Sequence, residues 1–263
     1  MAVRKIVLVV EYDGSDYSGF QLQVGQPTVQ GALEAALYRL TGEKRRVMAA
    51  SRTDAGVHAE EQVVSFRTEA AVPLTAFVGG LNHYLAEDIA VKAAYPVAEG
   101  FNVRRDAVSR EYEYWIDNSP TRAPLRRGRY YRVSGDLDEA MMDAASQLLP
   151  GKQDFASFVP ESELALRSPV KEVYRAGVKR EGVVVTFSMV ADSFLRHQIR
   201  NIVGSLLKVG QHRMTVGEFG DILEARSPGK GGPRAPACGL RLRRVNYAVP
   251  LPELSEETGH EDL

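Results

Sequence analysis

The chain has 263 residues, 33 Lys or Arg, 34 Asp or Glu and a formal net charge of -1, which fits one large domain or two of ordinary size with enough apolar content for a core. Its single cysteine, Cys238, excludes an internal disulfide, and residues 6–10, the only apolar run near the N-terminus, are too short for a signal-peptide core or a membrane span. A soluble, cytoplasmic protein with no membrane association is expected.

Residues 5–12 are rich in Val and Ile and read as a buried strand. Thr28 is placed to cap a helix running to about Leu40, with Val29, Ala32, Leu33, Ala36, Leu37 and Leu40 on one side and Gly42 as its stop. Residues 46–50 and 62–67 read as strands around a polar loop, 74–85 as a helix and 89–94 as a strand. The resulting β-α-β-β-α-β order is the split βαβ arrangement. The second half repeats the theme loosely. Residues 110–116 alternate, with Tyr112, Tyr114 and Ile116 on one face and Glu111, Glu113 and Trp115 on the other. Residues 138–149 read as a helix, 170–179 and 183–189 as a hairpin around Gly182, 193–209 as a strongly amphipathic helix and 216–224 as a shorter one. Residues 227–236, SPGKGGPRAP, are a loop by composition, with PGKGG at 228–232 read as flexible. The expected division is an N-terminal half at 1–107, a C-terminal half at 108–249 and an acidic, frayed tail at 250–263.

Charge is segregated along this framework. Residues 101–132 hold eight Arg against four acids, and residues 196–244 hold ten Arg or Lys against three acids. Residues 51–100 hold three basic groups against seven acids. Such a distribution can build a basic face for a phosphate-rich ligand on a nearly neutral protein, and it is equally consistent with ordinary solvated faces.

Several chemistries are set aside. The five histidines form no HExxH or other close ligand pair and Cys238 stands alone, so no metal site is expected. PGKGG at 228–232 lacks the spacing of a phosphate-binding loop, no GxGxxG follows a strand, and there is no GxSxG elbow. What remains is a carboxylate in the stretch SRTDAGVHA at 51–59. Asp54 falls in the connection between two strands, and Gly56 allows the sharp turn that would fix it. An Asx turn accounts for this stretch as well. Arg196 and Arg200 are four apart on the expected 193–209 helix, and Arg200 lies beside its apolar stripe. An arginine there either meets an anion or snorkels to solvent, the latter being commoner. Tyr112 lies on the apolar face of its strand, where a tyrosine is usually core with its hydroxyl satisfied.

In order and spacing, the motifs resemble the TruA family of tRNA pseudouridine synthases over about residues 3–247. SRTDAGVHA (51–59) resembles the family's GRTDAGVHA signature, EYDGSDYSGFQLQ (11–23) its YDGTxFxGWQxQ opening, and TVQGALEAAL (28–37) its TVQ-led helix. LNHYLAEDIAV (81–91), SREYEYWI (109–116), FLRHQIRNIVGSL (194–206) and APACGLRLRRVNY (235–247) resemble its LNxxLPxDIxV segment, Tyr strand, Arg helix and closing motif. Ser51, Phe20, Ala86 and Gln153 stand where the family usually has Gly, Trp, Pro and His.

The resemblance implies an α/β (α+β) pseudouridine synthase fold of two ferredoxin-like halves, each with an antiparallel sheet, flanking a basic cleft. It implies isomerisation of uridine to pseudouridine at positions 38, 39 and 40 of the tRNA anticodon stem-loop, by a homodimer with no metal or organic cofactor. Carried over by motif, Asp54 is the catalytic carboxylate, Arg200 its ion-pair partner, and Tyr112 stacks on the target base with a possible role in proton relay. Arg52 and His58 are candidate substrate contacts beside the carboxylate. Arg104, Arg105, Arg110, Arg126, Arg127 and Lys230 are candidate contacts to the RNA backbone. The alternative of a different class is a non-catalytic RNA-binding protein, which predicts exposed sheet aromatics in an RNP-like string that this sequence lacks.

Overall fold

The computed structural model describes residues 3–252, so the acidic stretch from 253 to 263 lies outside the described residues. The chain divides into two compact units: residues up to Ser109 together with those from Leu242, and Arg110–Arg241.

The first unit follows the β-α-β-β-α-β order read from sequence, with β1 (Arg4–Tyr12), α1 (Val29–Thr41), β2 (Met48–Ala49), β3 (His58–Thr68), α2 (Leu74–Tyr84) and β4 (Ile89–Val97). The strand order is β4-β1-β3, with β2 pairing β3 and the final strand, β10 (Leu240–Tyr247), lying on the other side of β3. β1 is antiparallel to both its neighbours, with Ile6 opposite Phe66 and Pro96, and Leu8 opposite Val64 and Ala94. Ile6, Val7 and Leu8 are all fully buried, so both faces of this central strand are covered and its sequence is continuously apolar. β4 extends past the expected end at residue 94 and includes Pro96, which an edge strand tolerates because no ladder donor is needed on the open side.

The expected capping of α1 is present: Thr28 accepts a hydrogen bond from Gly31 N, and Gly42 ends the helix at φ 76°. Val29, Leu33, Ala36 and Leu37 are its buried face. Their spacing places them on one stripe, where each larger side chain contributes about 1.5–3 kcal/mol on burial.

The second unit contains β5 (Ala107–Asp117), β6 (Tyr131–Arg132), α3 (Glu139–Ser146), β7 (Gly151–Asp154), α4 (Glu161–Leu164), β8 (Val170–Glu181), β9 (Val184–Ala191), α5 (Gln198–Gly210) and α6 (Val216–Ala225). Its strand order is β5-β9-β8-β7, all antiparallel, with β6 parallel to β5. As expected from their alternation, Tyr112, Tyr114 and Ile116 are buried while Glu111, Glu113 and Trp115 are only half-buried. The Tyr114 hydroxyl donates to Pro236 O at 2.8 Å, and burial first, then the neighbouring Cys238 and Tyr131, push its ionisation well above the usual tyrosine range. The Arg241 guanidinium stacks over the single tryptophan, Trp115, 3.2 Å from the ring centroid, and the Tyr130 ring lies 4.9 Å from the indole.

α5 differs from its expected range. It begins at Gln198, not 193, because His197 adopts φ 65° and breaks the helical path. Arg196 therefore precedes the helix, and the four-residue spacing to Arg200 does not put the two on one helical face.

Asp117 ends β5 and is 2 % exposed. Its carboxylate accepts from Ser119 N at 3.2 Å, from the Ser119 hydroxyl, and from Arg126 Nη1 at 2.9 Å. Burial raises its pKa, but these hydrogen bonds outweigh that and the net shift is downward. A carboxyl group depressed in the folded state stabilises fully above its unfolded pKa of about 3.9 and loses that stabilisation as pH falls through the lower folded value. Asp117→Asn is expected to cost about 1–3 kcal/mol at neutral pH, as Arg126 loses an ionised partner. The deficit should shrink in thermal melts run toward pH 3. A deficit independent of pH would exclude a role for the ionised carboxylate.

Candidate active site

Residues 50–57 connect β2 to β3 and carry Asp54. The loop is tied down along its length. Ala50 N donates to Val63 O at 2.8 Å. Ser51 is held at both backbone polar groups by one side chain: Gln62 Nε2 donates to Ser51 O at 2.7 Å, and Gln62 Oε1 accepts from Ser51 N at 3.3 Å. The Thr53 hydroxyl shares a 2.7 Å hydrogen bond with the Tyr12 hydroxyl, and Thr53 O accepts from Phe20 N at 3.1 Å. Val57 N closes a turn onto Asp54 O at 3.2 Å, and Gly56, at φ 74°, donates its N–H to Tyr17 O at 3.2 Å. That positive φ makes the sharp turn that a glycine at position 56 allows.

The segment 13–20 lies against this loop backbone to backbone, and two glycines make that possible. A Cβ on Gly14 would stand 2.0 Å from Val57 O, and one on Gly19, whose φ is 100°, would stand 2.8 Å from Thr53 O. Phe20 is buried beside Tyr12, with ring centroids 6.3 Å apart. Its ring is thus part of the support under the loop.

Asp54 is half-buried and Arg52 exposed on the same loop. His58 is not a loop residue. It opens β3 and is 6 % exposed. Its Nδ1 lies 3.1 Å from Gly14 N, which donates to it, and 3.0 Å from Asp13 Oδ1. One ring nitrogen cannot both accept from the amide and donate to the carboxylate, so whether Nδ1 carries a hydrogen decides which partner it engages. Arg104 reaches the start of the loop, with Nη2 donating to Ala49 O at 3.3 Å. Arg105 pairs with Asp106 at 2.7 Å and also donates to Gly100 O, which keeps its guanidinium on its own turn.

In the second unit, Tyr112 is buried with its ring edge-to-face against Phe194 at 5.0 Å. Arg200, in the first turn of α5, donates Nε to Ala235 O at 2.7 Å, while Ala235 N donates to Arg200 O at 3.0 Å. The loop 227–236, of which 228–232 reads from sequence as flexible, lies along α5. Gly232 N donates to Ser205 Oγ at 2.7 Å, and a Cβ on Gly204 would stand 1.8 Å from Pro233 O. The His197 ring lies 3.0 Å from Arg234 Nη1. Arg110 is 7 % exposed and donates Nη1 to Asp192 O at 2.8 Å. Arg126 is tied to Asp117, whereas Arg127 and Lys230 are exposed.

Within the first unit the structure brings Asp54, Arg52 and His58 onto one loop and its following strand, with Arg104 at the loop's base and Arg105 apart. Tyr12, Gly14, Gly19 and Gln62 were not singled out from sequence. Their signal was present: Tyr12 and Gln62 are polar groups at the ends of apolar strands, and two glycines lie in one ten-residue polar stretch. Among the described residues no cluster of His, Cys, Asp or Glu is placed to hold a metal ion, and no helix is long and apolar enough to cross a membrane.

A half-buried carboxylate on a tied-down strand-to-strand loop, in a unit of split βαβ topology, defines a candidate active site on an α/β scaffold. Comparison gives the scaffold its class: residues 8–105 and 145–248 match the family model described as tRNA pseudouridine synthase. The chain belongs to this family of isomerases acting on tRNA uridines. It is 40 % identical over 245 residues to tRNA pseudouridine synthase A of Pelobacter propionicus, covering 93 % of this chain and 100 % of the relative. It is 42 % identical over 249 residues to the Chloroflexus aurantiacus protein of the same name, covering 93 % and 89 %. To that of Neisseria gonorrhoeae it is 42 % identical over 245 residues, covering 93 % and 92 %.

The close approach at Gly14 is testable. Gly14→Ala must displace Val57 or the 13–20 segment and is expected to cost about 1–3 kcal/mol, with a matching fall in melting temperature. A wild-type melting temperature would mean that the two backbones part at no cost.

Proposed function

We propose that this protein converts uridine to pseudouridine at positions 38, 39 and 40 of the tRNA anticodon stem-loop, with Asp54 as the reacting carboxylate. What carries this reading is the Asp54 loop: a carboxylate on a loop whose backbone is hydrogen-bonded on either side of it, at Thr53 and at Gly56, in a chain of the tRNA pseudouridine synthase family. The isomerisation breaks the bond between ribose C1′ and base N1, turns the base and joins C1′ to C5. C5 loses its proton and N1 ends protonated, so no redox partner or second substrate enters the balance. An ionised carboxylate can add to the base, add to C1′, or remove a proton to give a glycal.

Arg200 is the proposed ion-pair partner of Asp54. A guanidinium beside a carboxylate favours its ionised form and fixes its direction. The turn of α5 that bears Arg200 is itself braced by the Ala235 backbone, which supports a rigid placement. Tyr112 is proposed to stack on the target base. Reaching a uracil within a stem requires extruding it, at a cost of a few kcal/mol. Arg52, exposed two residues before Asp54, is proposed to occupy the gap or hold the displaced backbone. His58 is the other proposed contact beside Asp54. Arg104, Arg105, Arg110, Arg126, Arg127 and Lys230 are proposed to read phosphate and shape, which tolerates neighbouring target positions. The proposed assembly is a homodimer in the cytoplasm, working without metal or organic cofactor.

The test is pseudouridine mapping on an unmodified tRNA transcript with uridines at 38 to 40, without added metal. Wild type is expected to modify those positions, while Asp54→Asn binds the transcript and does not turn over. Intact turnover by Asp54→Asn would sink the assignment, and binding without product by the wild type would leave an RNA-binding protein or a different RNA target. Arg200→Ala is expected to lower both melting temperature and turnover. Unchanged turnover would remove Arg200 from the site.

A further inference from the structure

Beneath the Asp54 loop lies a buried polar group of three side chains. Gln62 is 0 %, Tyr12 2 % and Thr53 7 % exposed. Gln62 Nε2 donates to Ser51 O at 2.7 Å and, at a longer 3.4 Å, to the Tyr12 hydroxyl oxygen. The Tyr12 and Thr53 hydroxyls are 2.7 Å apart. An amide N–H only donates, so the Tyr12 oxygen accepts from Gln62, and the Tyr12 and Thr53 hydroxyls share one hydrogen bond in which either is the donor. Thr53 is then oriented from below, one residue before Asp54, and Ser51 is locked two residues earlier still.

This arrangement costs more than an apolar core unless every member is satisfied, because an unpaired hydroxyl or amide in a buried site loses its hydration without return. Apolar residues of similar shape would keep the fold. Polar residues here fix the direction of the chain through Ser51, Arg52 and Thr53 as packing alone would not. We propose that Tyr12, Thr53 and Gln62 are positioning residues that hold the Asp54 carboxylate in its reactive direction, acting on turnover and not on tRNA affinity. The proposal rests on the assignment of Asp54 as the reacting carboxylate.

The test uses the full chain and an unmodified tRNA transcript, with kcat, KM and melting temperature measured for Tyr12→Phe, Thr53→Val, Thr53→Ser and the Tyr12→Phe/Thr53→Val pair. Phe and Val keep the shapes of Tyr and Thr while removing the hydroxyls. Each of these two singles is expected to lower kcat about tenfold or more with KM changed less than about twofold, the pattern of a displaced reacting group. Tyr12→Phe also strands the Thr53 hydroxyl and lowers the melting temperature. The double variant removes both partners and recovers the melting temperature, while kcat stays low. Thr53→Ser keeps the hydroxyl and retains most of the wild-type kcat. Recovery of kcat together with melting temperature in the double variant would make the group purely structural and overturn the proposal. So would a Thr53→Ser enzyme as slow as Thr53→Val, or a wild-type kcat in Tyr12→Phe. Asp54→Asn is run alongside. Its inactivity with wild-type rates in the other variants overturns the positioning role alone, whereas its activity overturns the Asp54 reading and the proposal with it.

Discussion

Two stretches of backbone, 13–20 and 53–57, approach each other more closely than any side chain would permit, and the geometry of the carboxylate loop depends on that approach. With Gly14 against Val57 and Gly19 against Thr53, there is no room for a Cβ at either place. Because the gap is closed, main-chain bonds can form directly between the segments, from Phe20 N to Thr53 O and from Gly56 N to Tyr17 O. A catalytic loop is usually the mobile part of a scaffold. Here the loop is bonded by the strand residues Gln62 and Tyr12 and also by the glycine segment. The carboxylate therefore has little freedom beyond its own rotamer, which is preorganisation of the kind that holds a side chain ready for a partner.

The second unit uses the same device around Arg200. Gly204 and Gly232 let the 227–236 loop lie against α5, where it exchanges bonds with the backbone and side chain of Arg200 through Ala235. The glycine and proline content that makes 228–236 look featureless is what lets it follow a helix surface so closely. The αL conformation of His197, uncommon for a residue with a side chain, starts α5 late and leaves Arg200 in its first turn. Strain at this point of the chain is tolerated where surrounding bonds over-determine the backbone, and the 3.0 Å approach of Arg234 to the His197 ring is one of those bonds.

What could be read from sequence was local. α1 announced both ends, with Thr28 and Gly42, and the structure keeps them. The β5 face bearing Tyr112, Tyr114 and Ile116 follows from a two-residue period, and α6 begins at the residue expected. The elements missed had weak or mixed signals. β6 and β7 are two and four residues long, and β10 carries Arg at three of its eight positions. β10 is a strand because β3 offers it a partner far away in sequence, which no local window contains. The same reason hid Tyr12 and Gln62: each looks like the ragged end of an apolar strand until folding brings them under Thr53. The start of α5 was misread because apolar residues at 194, 195, 199 and 202 continue a helical pattern across a point where the backbone leaves it. Asp54 itself was found through its motif, since a lone Asp before Ala-Gly is ordinary turn chemistry.

The stacking of Arg241 on Trp115 has a spectroscopic consequence. The indole is the sole tryptophan and lies in the Arg110–Arg241 unit, with a cation on its face and the Tyr130 ring beside it. Its emission therefore reports on that unit and is blind to the one that carries Asp54. Denaturation followed by tryptophan fluorescence and by far-ultraviolet circular dichroism samples different parts of the same chain. Only if the two curves coincide do the units unfold as one cooperative body, and otherwise the optical signal most easily recorded describes the half of the enzyme that lacks the carboxylate.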